Sequence, residues 1–484
     1  MSDIIVVGAG FGGLGAALAL VELGHHPLLL ESLKYPGGCA STFERGGDRF
    51  ESGATLFSGF DAGQLFHRII EQHAIPVETV EIDPLVELRA GSMTITVPRD
   101  RQQFIDSLCA LPGAPVERLR AFFTTQQRIA QALWPLFDDP ALLPPFDVEM
   151  VAAHLRRAGS YLPLLGLIGA PLGRLLDEVD FPPLRLFADS VCQITVQTSA
   201  ARAEAPLALA ALDYFFRGTR HVRGGIGELA WGMARAIERS GGTVGFAERV
   251  IAIEPGASQR WRVRTSKREL EADVIVADLL PAALHALGLP PTRQTRALDA
   301  RVQRGWGAAM QYRVVDTDVG GPSAHHLELV ADPSRPFHEG NHVFCSISAA
   351  DEQRTRDGLR TVTISTHVPL DPAATAGRDD AVYFRLVQAT INETLALRAP
   401  ELVAATRRTL TGSPRTFERF TARPRGLVGG IPRTAGLWNY ASLSPRTPWP
   451  GVVLVGDSVF PGQSTLATTV GGYRAAVAAK NQLR

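Results

Sequence analysis

Glycines at the end of a short apolar run are the residues of this sequence that point most clearly to chemistry. The run Ile4 to Val7 is rich in β-branched residues, which indicates a strand, and apolar residues recur at helical spacing from Leu14 onward. Between the two, Gly8 permits a tight turn, Gly10 leaves room for a pyrophosphate, and Gly13 lets the helix pack closely on the strand. Free N–H groups at the start of the helix suit phosphates. The pattern predicts a dinucleotide-binding turn formed by Gly8, Gly10, Phe11, Gly12 and Gly13.

A carboxylate stands where such a turn requires one. Glu31 ends the second apolar run, Pro27-Leu28-Leu29-Leu30. A dinucleotide-binding βαβ unit places its ribose-binding acid about 20 residues after the glycines, and Glu31 lies close to that distance. The alternative is a glycine turn that serves packing alone. Strand, turn, helix and acid together favour dinucleotide binding, with Glu31 and the adjacent Ser32 at the ribose.

Paired glycines recur directly after this acid. Gly37-Gly38-Cys39-Ala40 follows Tyr35-Pro36, and Gly53-Ala54 follows a little later. Glycine at these positions allows the backbone to lie close to a cofactor, whereas the alternative is a mobile surface loop. We therefore expect a second group of cofactor contacts, formed by Gly37, Gly38, Cys39, Ala40, Gly53 and Ala54.

The C-terminal region contains a second strand, turn and helix. The buried-type strand Gly451 to Val455 leads into Gly456-Asp457, and a helix of small residues follows. Asp457 can bind a ribityl hydroxyl, and the helix N-terminus offers N–H groups to a flavin ring or phosphate. FAD is long and must be held at both ends, whereas a simple Rossmann enzyme that uses NAD needs no second half-site. The two half-sites therefore predict FAD as the cofactor.

The elements that position these residues indicate an α/β protein. Several lobes are expected, because a chain of 484 residues is too long to fold around one ordinary hydrophobic core. Helical periodicity prevails from Asp100 to Arg217, and alternating apolar and polar residues at Thr361 to Val368 indicate an antiparallel sheet. A strand pair is predicted at Glu87 to Pro98 and a helix at Val382 to Leu397. The expected division is cofactor domain at 1–99, 218–290 and 406–484, helical insertion at 100–217, and substrate domain at 291–405.

Composition excludes several classes of protein. The 49 basic and 49 acidic residues balance, so nothing favours a nucleic-acid partner. The four cysteines form no CxxC pair and the adjacent His325-His326 lacks metal-ligand spacing, so we expect neither a metal site nor a disulfide framework. The chain begins without a basic and apolar leader, which predicts a cytoplasmic protein. Its longest weakly charged run, Tyr161 to Gly173, contains two prolines and is too short to span a bilayer.

Three longer segments carry a family resemblance. They are YPGGCASTFERGGDRFESGATLFSG from Tyr35, GSPRTFERFTARPRGLVGGIPRT from Gly412 and VVLVGDSVFPGQSTLATTVGGYRAA from Val452. Except for the helical insertion, the chain resembles the flavin-dependent phytoene desaturase and carotenoid isomerase superfamily, which is related to the amine oxidases. The Gly-Asp-Ser-x-Phe-Pro-Gly-Gln ending and the Arg419-Phe420 segment are most similar to carotenoid (prolycopene) isomerases. Bacterial phytoene desaturases tend to have an Ala-Gly-Thr-His-Pro-Gly type of ending instead.

This resemblance implies a Rossmann-like FAD-binding domain of the GR2 or amine-oxidase type, joined to an α+β substrate domain. It assigns the glycine turn to the pyrophosphate, Gly37 to Ala40 to the phosphates or ribityl chain, and the backbone of Val250 to the adenine. Gly456 and Asp457 would lie at the ribityl–phosphate end. The run Pro461-Gly462-Gln463 would lie against the isoalloxazine, and Ser464 and Thr465 are expected among the cofactor contacts as well.

Two positions depart from the family pattern. Ser464-Thr465 stands where isomerases usually have glycine and an aliphatic residue, and Cys39 replaces a residue that is basic in many amine oxidases. Both departures leave the expectation of FAD intact, and they leave the reaction type open. An amine oxidase commonly needs a lysine near the flavin, and Lys34, Lys267 and Lys480 all lie outside the expected substrate domain.

The implied substrate is a long, apolar polyene. Isomerisation by reduced flavin is slightly favoured over phytoene-type desaturation; further alternatives are a retinol-saturase-like or amine-oxidase-like flavoenzyme and a non-catalytic lipid-binding flavoprotein. Neither polyene route obliges a side-chain base, so no catalytic residue is singled out, and Glu51 and His221 are interpreted as structural. Peripheral membrane contact is expected through Tyr161 to Leu176. Side chains that could line an apolar entrance, or else pack in a core, are Trp134, Leu136, Phe137, Leu142, Leu143, Phe146 and those of Tyr161 to Gly173.

Overall fold

The strands of the chain form two large sheets and several small ones. The computed structural model describes residues 3–53, 56–144, 148–256, 260–321, 323–440 and 443–483. The strands within these ranges are β1 (Ile4–Val7), β2 (Leu28–Leu30), β3 (Thr42–Arg45), β4 (Asp48–Glu51), β5 (Thr79–Glu81), β6 (Val86–Ala90), β7 (Met93–Val97), β8 (Arg220–Val222), β9 (Thr243–Gly245), β10 (Val250–Pro255), β11 (Trp261–Thr265), β12 (Glu269–Ala272), β13 (Val274–Ala277), β14 (Trp306–Val315), β15 (His325–Val330), β16 (His342–Ile347), β17 (Arg360–Pro369), β18 (Thr406–Gly412) and β19 (Val452–Leu454).

Helices cover these sheets and fill the middle of the sequence. Those of the described ranges are α1 (Phe11–Glu22), α2 (Leu65–Gln72), α3 (Arg101–Cys109), α4 (Val116–Leu133), α5 (Pro135–Asp138), α6 (Val148–Arg156), α7 (Ala158–Tyr161), α8 (Gly173–Val179), α9 (Pro182–Thr195), α10 (Ala205–Ala211), α11 (Ile226–Arg239), α12 (Pro281–Ala286), α13 (Arg293–Val302), α14 (Pro372–Thr375), α15 (Asp380–Arg398), α16 (Pro400–Ala404), α17 (Pro414–Thr421) and α18 (Thr465–Lys480).

The predicted glycine turn lies at the carboxyl ends of the strands of a five-stranded parallel sheet. Its strand order is β19-β13-β1-β2-β9, with β1 at the centre and buried along its whole length. Strands of parallel sheets are covered on both faces, which explains the uninterrupted apolar runs. The carboxyl ends of β1, β13 and β19 lie side by side, so three segments distant in sequence meet at one edge. The Rossmann-like α/β class predicted from the sequence is confirmed.

Small residues bring the helices against this sheet and against each other. A Cβ on Gly13 would lie 1.9 Å from the carbonyl oxygen of Gly8, so α1 could not pack as closely on the turn with any larger residue. A Cβ on Gly472 of α18 would lie 2.3 Å from the carbonyl oxygen of Gly12. The glycine-rich and alanine-rich composition of α18 is therefore a packing requirement, since this helix crosses α1 at close range.

The second large sheet has seven strands in the order β18-β14-β17-β16-β15-β6-β7. Its pairs are antiparallel except for β15 with β6. The helix α15 packs on one face through Val387, Ile391 and Leu395. The predicted strand pair near Glu87 to Pro98 is present, and it extends the edge of this sheet. The expected division of the chain at residue 99 stays a prediction.

The helical character predicted between residues 100 and 217 is present as α3 to α10. Phe104 and Phe187 pack with ring centroids 4.7 Å apart at the centre of this region. The same hydrophobic cluster includes Phe344 of β16, so the helices and the seven-stranded sheet share a core. This shared core positions α4, α9 and α10 beside the glycine turn.

Candidate cofactor and substrate cavity

One cavity of about 610 Å³ brings the predicted cofactor residues together. Its size lies within the range of about 300–1,000 Å³ that is typical of ligand pockets. Gly13 and Gly462 do not line it, and Ala54 lies outside the described residues. The predicted residues that line it are Gly8, Gly10, Phe11, Gly12, Glu31, Ser32, Gly37, Gly38, Cys39, Ala40, Gly53, Val250, Gly456, Asp457, Pro461, Gln463, Ser464 and Thr465.

Glu31 ties the end of β2 to the glycine turn. Its Oε2 accepts a hydrogen bond from the backbone N–H of Ala9 at 2.8 Å, and its Oε1 accepts from the N–H of Leu33 at 2.7 Å. Each carboxylate oxygen can accept more than one hydrogen bond, so Glu31 can also receive ribose hydroxyls on its cavity side. Because Glu31 supports the fold as well, Glu31→Gln is a milder test of its ligand role than Glu31→Ala.

The second glycine pair is fixed against the first. The N–H of Gly37 donates to the carbonyl oxygen of Ala9 at 2.7 Å, and a Cβ on Gly38 would lie 3.3 Å from the Cα of Gly10. Both Gly37 and Gly38 have positive φ, at 112° and 60°, which favours glycine there. The two turns therefore form one backbone wall of the cavity, and the glycines themselves place no side chain where a pyrophosphate would approach.

Asp278 was not singled out from the sequence. It lies inside the glycine cradle, which is the cavity wall formed by Gly8 to Gly13 and Gly37 to Ala40. It follows β13, and its Oδ2 accepts a hydrogen bond from the N–H of Gly13 at 3.0 Å. A Cβ on Gly10 would lie 2.4 Å from Oδ2, and one on Gly456 would lie 2.7 Å from Oδ1. The rule that ligands bind at the carboxyl ends of parallel strands could have identified Asp278, because β13 is the neighbour of β1.

The Asp278 carboxyl has an unusual electrostatic environment. Burial raises its pKa to about 7, and the negative charges of Asp457 and Glu31 act in the same direction. The hydrogen bond from Gly13 and the positive charge of Arg423 oppose that increase. Near neutral pH the group is therefore divided between a neutral and an ionised form, and the neutral form suits the approach of phosphates.

Asp457 is held by an ion pair at the other half-site. Its Oδ2 lies 2.7 Å from Nη2 of Arg423, and the two side chains are mostly buried. Burial acts to lower the pKa of Arg423, but the negative charge of Asp457 opposes burial, and this pKa is raised above its usual value. One cavity is thus surrounded by glycine backbone, helix N-termini, Glu31 and the paired Asp457. These groups suit both ends of a dinucleotide, as a site for FAD requires.

The part of the cavity beyond these polar groups is apolar. Trp134, Leu136 and Phe137 line it, as the sequence analysis anticipated for an entrance. Leu142, Leu143 and the segment 161–173 do not line it, and Phe146 lies outside the described residues. Leu142 and Leu143 are buried in the protein interior, so for these two leucines the alternative of core packing is correct.

Two amides and an imidazole add a neutral polar strip to this apolar part. Nε2 of Gln197 donates to Oε1 of Gln463 at 2.8 Å and lies 3.1 Å from Nε2 of His367. Burial lowers the pKa of His367 to about 3, with the neighbouring His342 and His338 acting in the same direction. The ring is therefore neutral at physiological pH. Sequence analysis missed Gln197 and His367 because their segments meet only in the folded chain.

Ser464 explains one departure from the family pattern. It caps α18, accepting a hydrogen bond at Oγ from the N–H of Ala467 at 3.0 Å, but its φ is +103°. Residues other than glycine are strained at such angles, by roughly 1–3 kcal/mol. Glycine costs a helix cap only a few tenths of a kcal/mol, whereas alanine costs about 1 kcal/mol.

We expect Ser464→Gly to stabilise the protein against urea by about 1 kcal/mol, because the relief of strain exceeds the loss of the cap. Ser464→Ala is the matched control: it keeps the strain, loses the cap and should destabilise by about 1 kcal/mol. Equal unfolding free energies for the two variants would contradict the strain at this position.

Comparisons with known proteins agree with this geometry. Residues 6–72 match the family model of the NAD(P)-binding Rossmann-like domain. A chloroplastic prolycopene isomerase from Arabidopsis thaliana is 24% identical over 98% of this chain and 82% of its own length. A phytoene dehydrogenase from Streptomyces griseus is 27% identical over 60% of this chain and 57% of its own length. The cyclohexylamine oxidase structure from Brevibacterium oxydans has a TM-score of 0.62 at 16% identity, covering 99% of this chain and 98% of that one.

The fold and the cavity define a Rossmann-like, dinucleotide-binding architecture, and the cyclohexylamine oxidase structure shares this fold. Within that class, the resemblance expected from the motifs is confirmed. The chain is similar over nearly its whole length to a protein named prolycopene isomerase, and over 60% of its length to one named phytoene dehydrogenase.

Proposed function

We propose that this chain binds FAD and acts with it on a long, apolar polyene. The observation that carries the proposal is one cavity that joins the glycine cradle and Glu31 to an apolar space beside Trp134 and Phe137. A hydrocarbon polyene chain has no charged group, so shape and apolar surface must hold that chain, and a neutral His367 suits such a ligand. Relatives named for prolycopene and phytoene support the same class of substrate.

The residues divide between cofactor and substrate. Gly8 to Gly13 and Gly37 to Ala40 would hold the pyrophosphate, Glu31 and Ser32 the adenosine ribose, and Val250 the adenine. Asp457 would accept a ribityl hydroxyl while Arg423 holds the carboxylate in place. When bound, the flavin supplies the transfer of electrons or protons that the polyene reaction needs.

The substrate side has its own tasks. The cavity wall formed by Pro461, Gln463, Ser464 and Thr465 would position the flavin ring against the space that the polyene enters. Gln197 links Gln463 to His367, so the neutral polar strip can move little. Trp134, which lies between α4 and α5, and Phe137 of α5 line the apolar space and would exclude water from the polyene.

Of the two polyene reactions, we favour cis–trans isomerisation over desaturation. The Gly456 to Gln463 ending and the Arg419-Phe420 segment support isomerisation, and Ser464-Thr465 is the departure that keeps desaturation as the second candidate. Isomerisation leaves the flavin in the redox state in which it began. Desaturation removes a hydride and a proton, so an acceptor must reoxidise the flavin after each turnover.

One experiment separates the candidates. The purified protein receives chemically reduced FAD and a poly-cis carotene under argon, and the products are separated by chromatography. Isomerised carotene without net oxidation supports the proposal. Unchanged carotene, together with loss of hydrogen from a more saturated polyene when a quinone is added, supports the desaturase. A protein that perturbs neither substrate but retains lipid would be a binding protein, and a colourless protein that still turns over substrate would refute FAD as the cofactor.

An exposed apolar patch supports membrane contact during substrate uptake. Leu162 and Leu165 are 64% and 71% exposed, and Leu437 lies against the same segment at Gly169 with 70% exposure. Leu164 is only 8% exposed, so it belongs to the core and would not test membrane contact. Among the described residues no helix is both long and apolar enough to cross a bilayer.

We expect the double variant Leu162→Asp and Leu165→Asp to float with liposomes at least tenfold less than the unaltered protein. Each leucine contributes about 1.5–3 kcal/mol when it leaves water, so losing two should exceed a tenfold effect. Leu386→Asp with Leu397→Asp is the control, because both leucines are similarly exposed on α15. Equal flotation of the two double variants would rule out contact through this patch.

A further inference from the structure

Arg433 is a cation at the cavity wall, and none of the described residues pairs with its guanidinium. Its backbone is fixed, since its N–H donates to Val196 and its carbonyl oxygen accepts from the N–H of Glu204, both at 2.9 Å. The guanidinium lines the cavity, and within the described part of the chain it makes neither a side-chain hydrogen bond nor an ion pair. Its Nη2 would lie 3.1 Å from a Cβ on Gly462. A charge placed in such an environment without a partner is costly, so it calls for a ligand.

The nearest charges leave this region with excess positive charge. Burial lowers the pKa of Arg433 to about 10, and the positive charge of Arg301 acts in the same direction, while Tyr440 and Glu204 oppose this decrease. Glu204 is the nearby acid, but its oxygens already accept hydrogen bonds from the N–H groups of Gly169 and Leu207 and from the hydroxyl of Tyr440, at 2.7–3.0 Å. Glu204 is therefore occupied as a cap for α10, and it forms no hydrogen bond or ion pair with the guanidinium of Arg433.

The N-terminus of α18 faces the same end of the cavity. Gly462 precedes the cap Ser464, and Thr465 and Leu466 of the first turn line the cavity. The hydroxyl of Thr465 is buried and has no hydrogen-bond partner in the described residues. A helix N-terminus carries positive partial charge, and α18 has 16 residues, so its field adds to that of Arg433.

We propose that Arg433 and the N-terminus of α18 form a binding site for a planar, delocalised anion at the flavin end of the cavity. Two sources supply that chemistry: the pyrimidine ring of the reduced flavin, which carries negative charge, and a carboxylate at the end of a polyene. The planar fork of arginine matches either one through two parallel N–H groups. The flavin source rests on the proposed function, whereas the carboxylate source requires the cavity alone.

The first arm of the test measures the flavin. Arg433→Gln removes the charge, and Arg433→Lys keeps it. If the site stabilises the reduced flavin, Arg433→Gln should weaken the preference for the reduced form at least tenfold, which corresponds to a midpoint potential about 30 mV lower for a two-electron couple. Arg433→Lys should retain most of the potential. Affinity for oxidised FAD should stay within about threefold in both variants, because the oxidised ring carries no charge.

The second arm measures a carboxylate. All-trans retinoate and all-trans retinol are titrated against the protein with intrinsic tryptophan fluorescence as the signal, which does not require bound FAD. If the anion belongs to the substrate, retinoate should bind at least tenfold more tightly to the unaltered protein than to Arg433→Gln, and retinol should bind both equally.

The outcomes separate the two proposals. A changed potential assigns the site to the flavin, and a selective loss of retinoate assigns it to the substrate. Unchanged potential and unchanged retinoate binding in Arg433→Gln overturn the anion site, while FAD retained by the same protein leaves the proposed function standing. Failure of the unaltered protein to bind FAD instead overturns the proposed function, and the retinoate arm still tests Arg433.

Discussion

Asp278→Asn should bind FAD about 100-fold more tightly than the unaltered protein at pH 9, and with little difference between the two below pH 6. The carboxyl of Asp278 lies among the cradle glycines, 3.0 Å from the N–H of Gly13, and its pKa is raised to about 7. If the ionised form repels the pyrophosphate, the dissociation constant rises tenfold for each pH unit above 7. Asparagine keeps the acceptor for Gly13 and cannot ionise.

The surrounding charges determine the direction of this effect. Asp457 and Glu31 disfavour ionisation of Asp278, and Arg423 favours it, although Arg423 is already paired with Asp457 at 2.7 Å. The thiol of Cys39 is also near this group, and burial raises its pKa, so the thiol is neutral in the same range. A pyrophosphate adds negative charge, which raises the pKa of Asp278 further in the complex. Binding above pH 7 therefore takes up a proton.

The stability of the ligand-free protein should follow the same group. Its folded pKa lies above the unfolded value near 4, so the unfolded chain releases this proton first as the pH rises. The contribution of Asp278 to stability is complete below pH 4, declines between pH 4 and pH 7, and stays low above pH 7. Asp278→Asn should therefore raise the melting temperature of the ligand-free protein at pH 8 more than at pH 4.

Titration of FAD from pH 6 to pH 9 by flavin fluorescence, with scanning calorimetry at pH 4 and pH 8, tests both effects. Asp316→Asn is the control, because Asp316 forms an exposed ion pair with Arg407 far from the cavity. Parallel pH profiles for the unaltered protein and Asp278→Asn would show that Asp278 does not limit cofactor binding.

The features that sequence analysis found have local causes. Within the turn Gly8 to Gly13, a Cβ on Gly13 would collide with the carbonyl oxygen of Gly8, and a Cβ on Gly10 would collide with the carboxylate of Asp278. Such close approaches require glycines, and glycines are visible in the sequence. Glu31 and Asp457 are recognisable because each directly follows a strand that begins or ends a half-site. These local requirements predicted the strands, the turns and the class of fold.

The features that it missed depend on pairing between distant segments. Asp278 follows β13, and it became a candidate only when β13 was found beside β1. The strand pair near Glu87 was predicted, yet its place beside β15 depends on a long-range parallel pairing. The leucines near Leu164 differ in exposure because prolines and short turns interrupt the segment, so periodicity could not separate the buried from the exposed ones.

A buried ion-pair network outside the cavity should have the largest effect on stability. Arg354 donates from Nη1 to Glu51 at 2.9 Å and from Nε to Glu352 at 2.6 Å, and Glu352 also contacts His221 at 2.5 Å. The side chains of Arg354, Glu51 and Glu352 are 3%, 8% and 1% exposed. The network joins β4 and β8 to the loop after β16, which supports the structural interpretation of Glu51 and His221.

Arg354→Met should lower the free energy of unfolding by about 3–5 kcal/mol, because it leaves two carboxylates buried without their cation. Burial already raises the pKa of Glu51 against the opposing charge of Arg354, and removing that charge raises it further. A neutral Glu51 relieves part of the penalty, so the loss of stability should be smaller at pH 5 than at pH 8.

Chemical denaturation at pH 5 and pH 8 tests this expectation against two other variants. Arg407→Met breaks the exposed ion pair with Asp316 and should cost at most about 1 kcal/mol. The double variant Glu51→Gln with Arg354→Met removes one of the two carboxylates that lack a cation in Arg354→Met. It should therefore recover part of the stability that Arg354→Met loses. If Arg354→Met costs no more than Arg407→Met, then water or relaxation compensates the buried carboxylates. In that case the network would contribute little to the packing of β4 and β8 against the seven-stranded sheet.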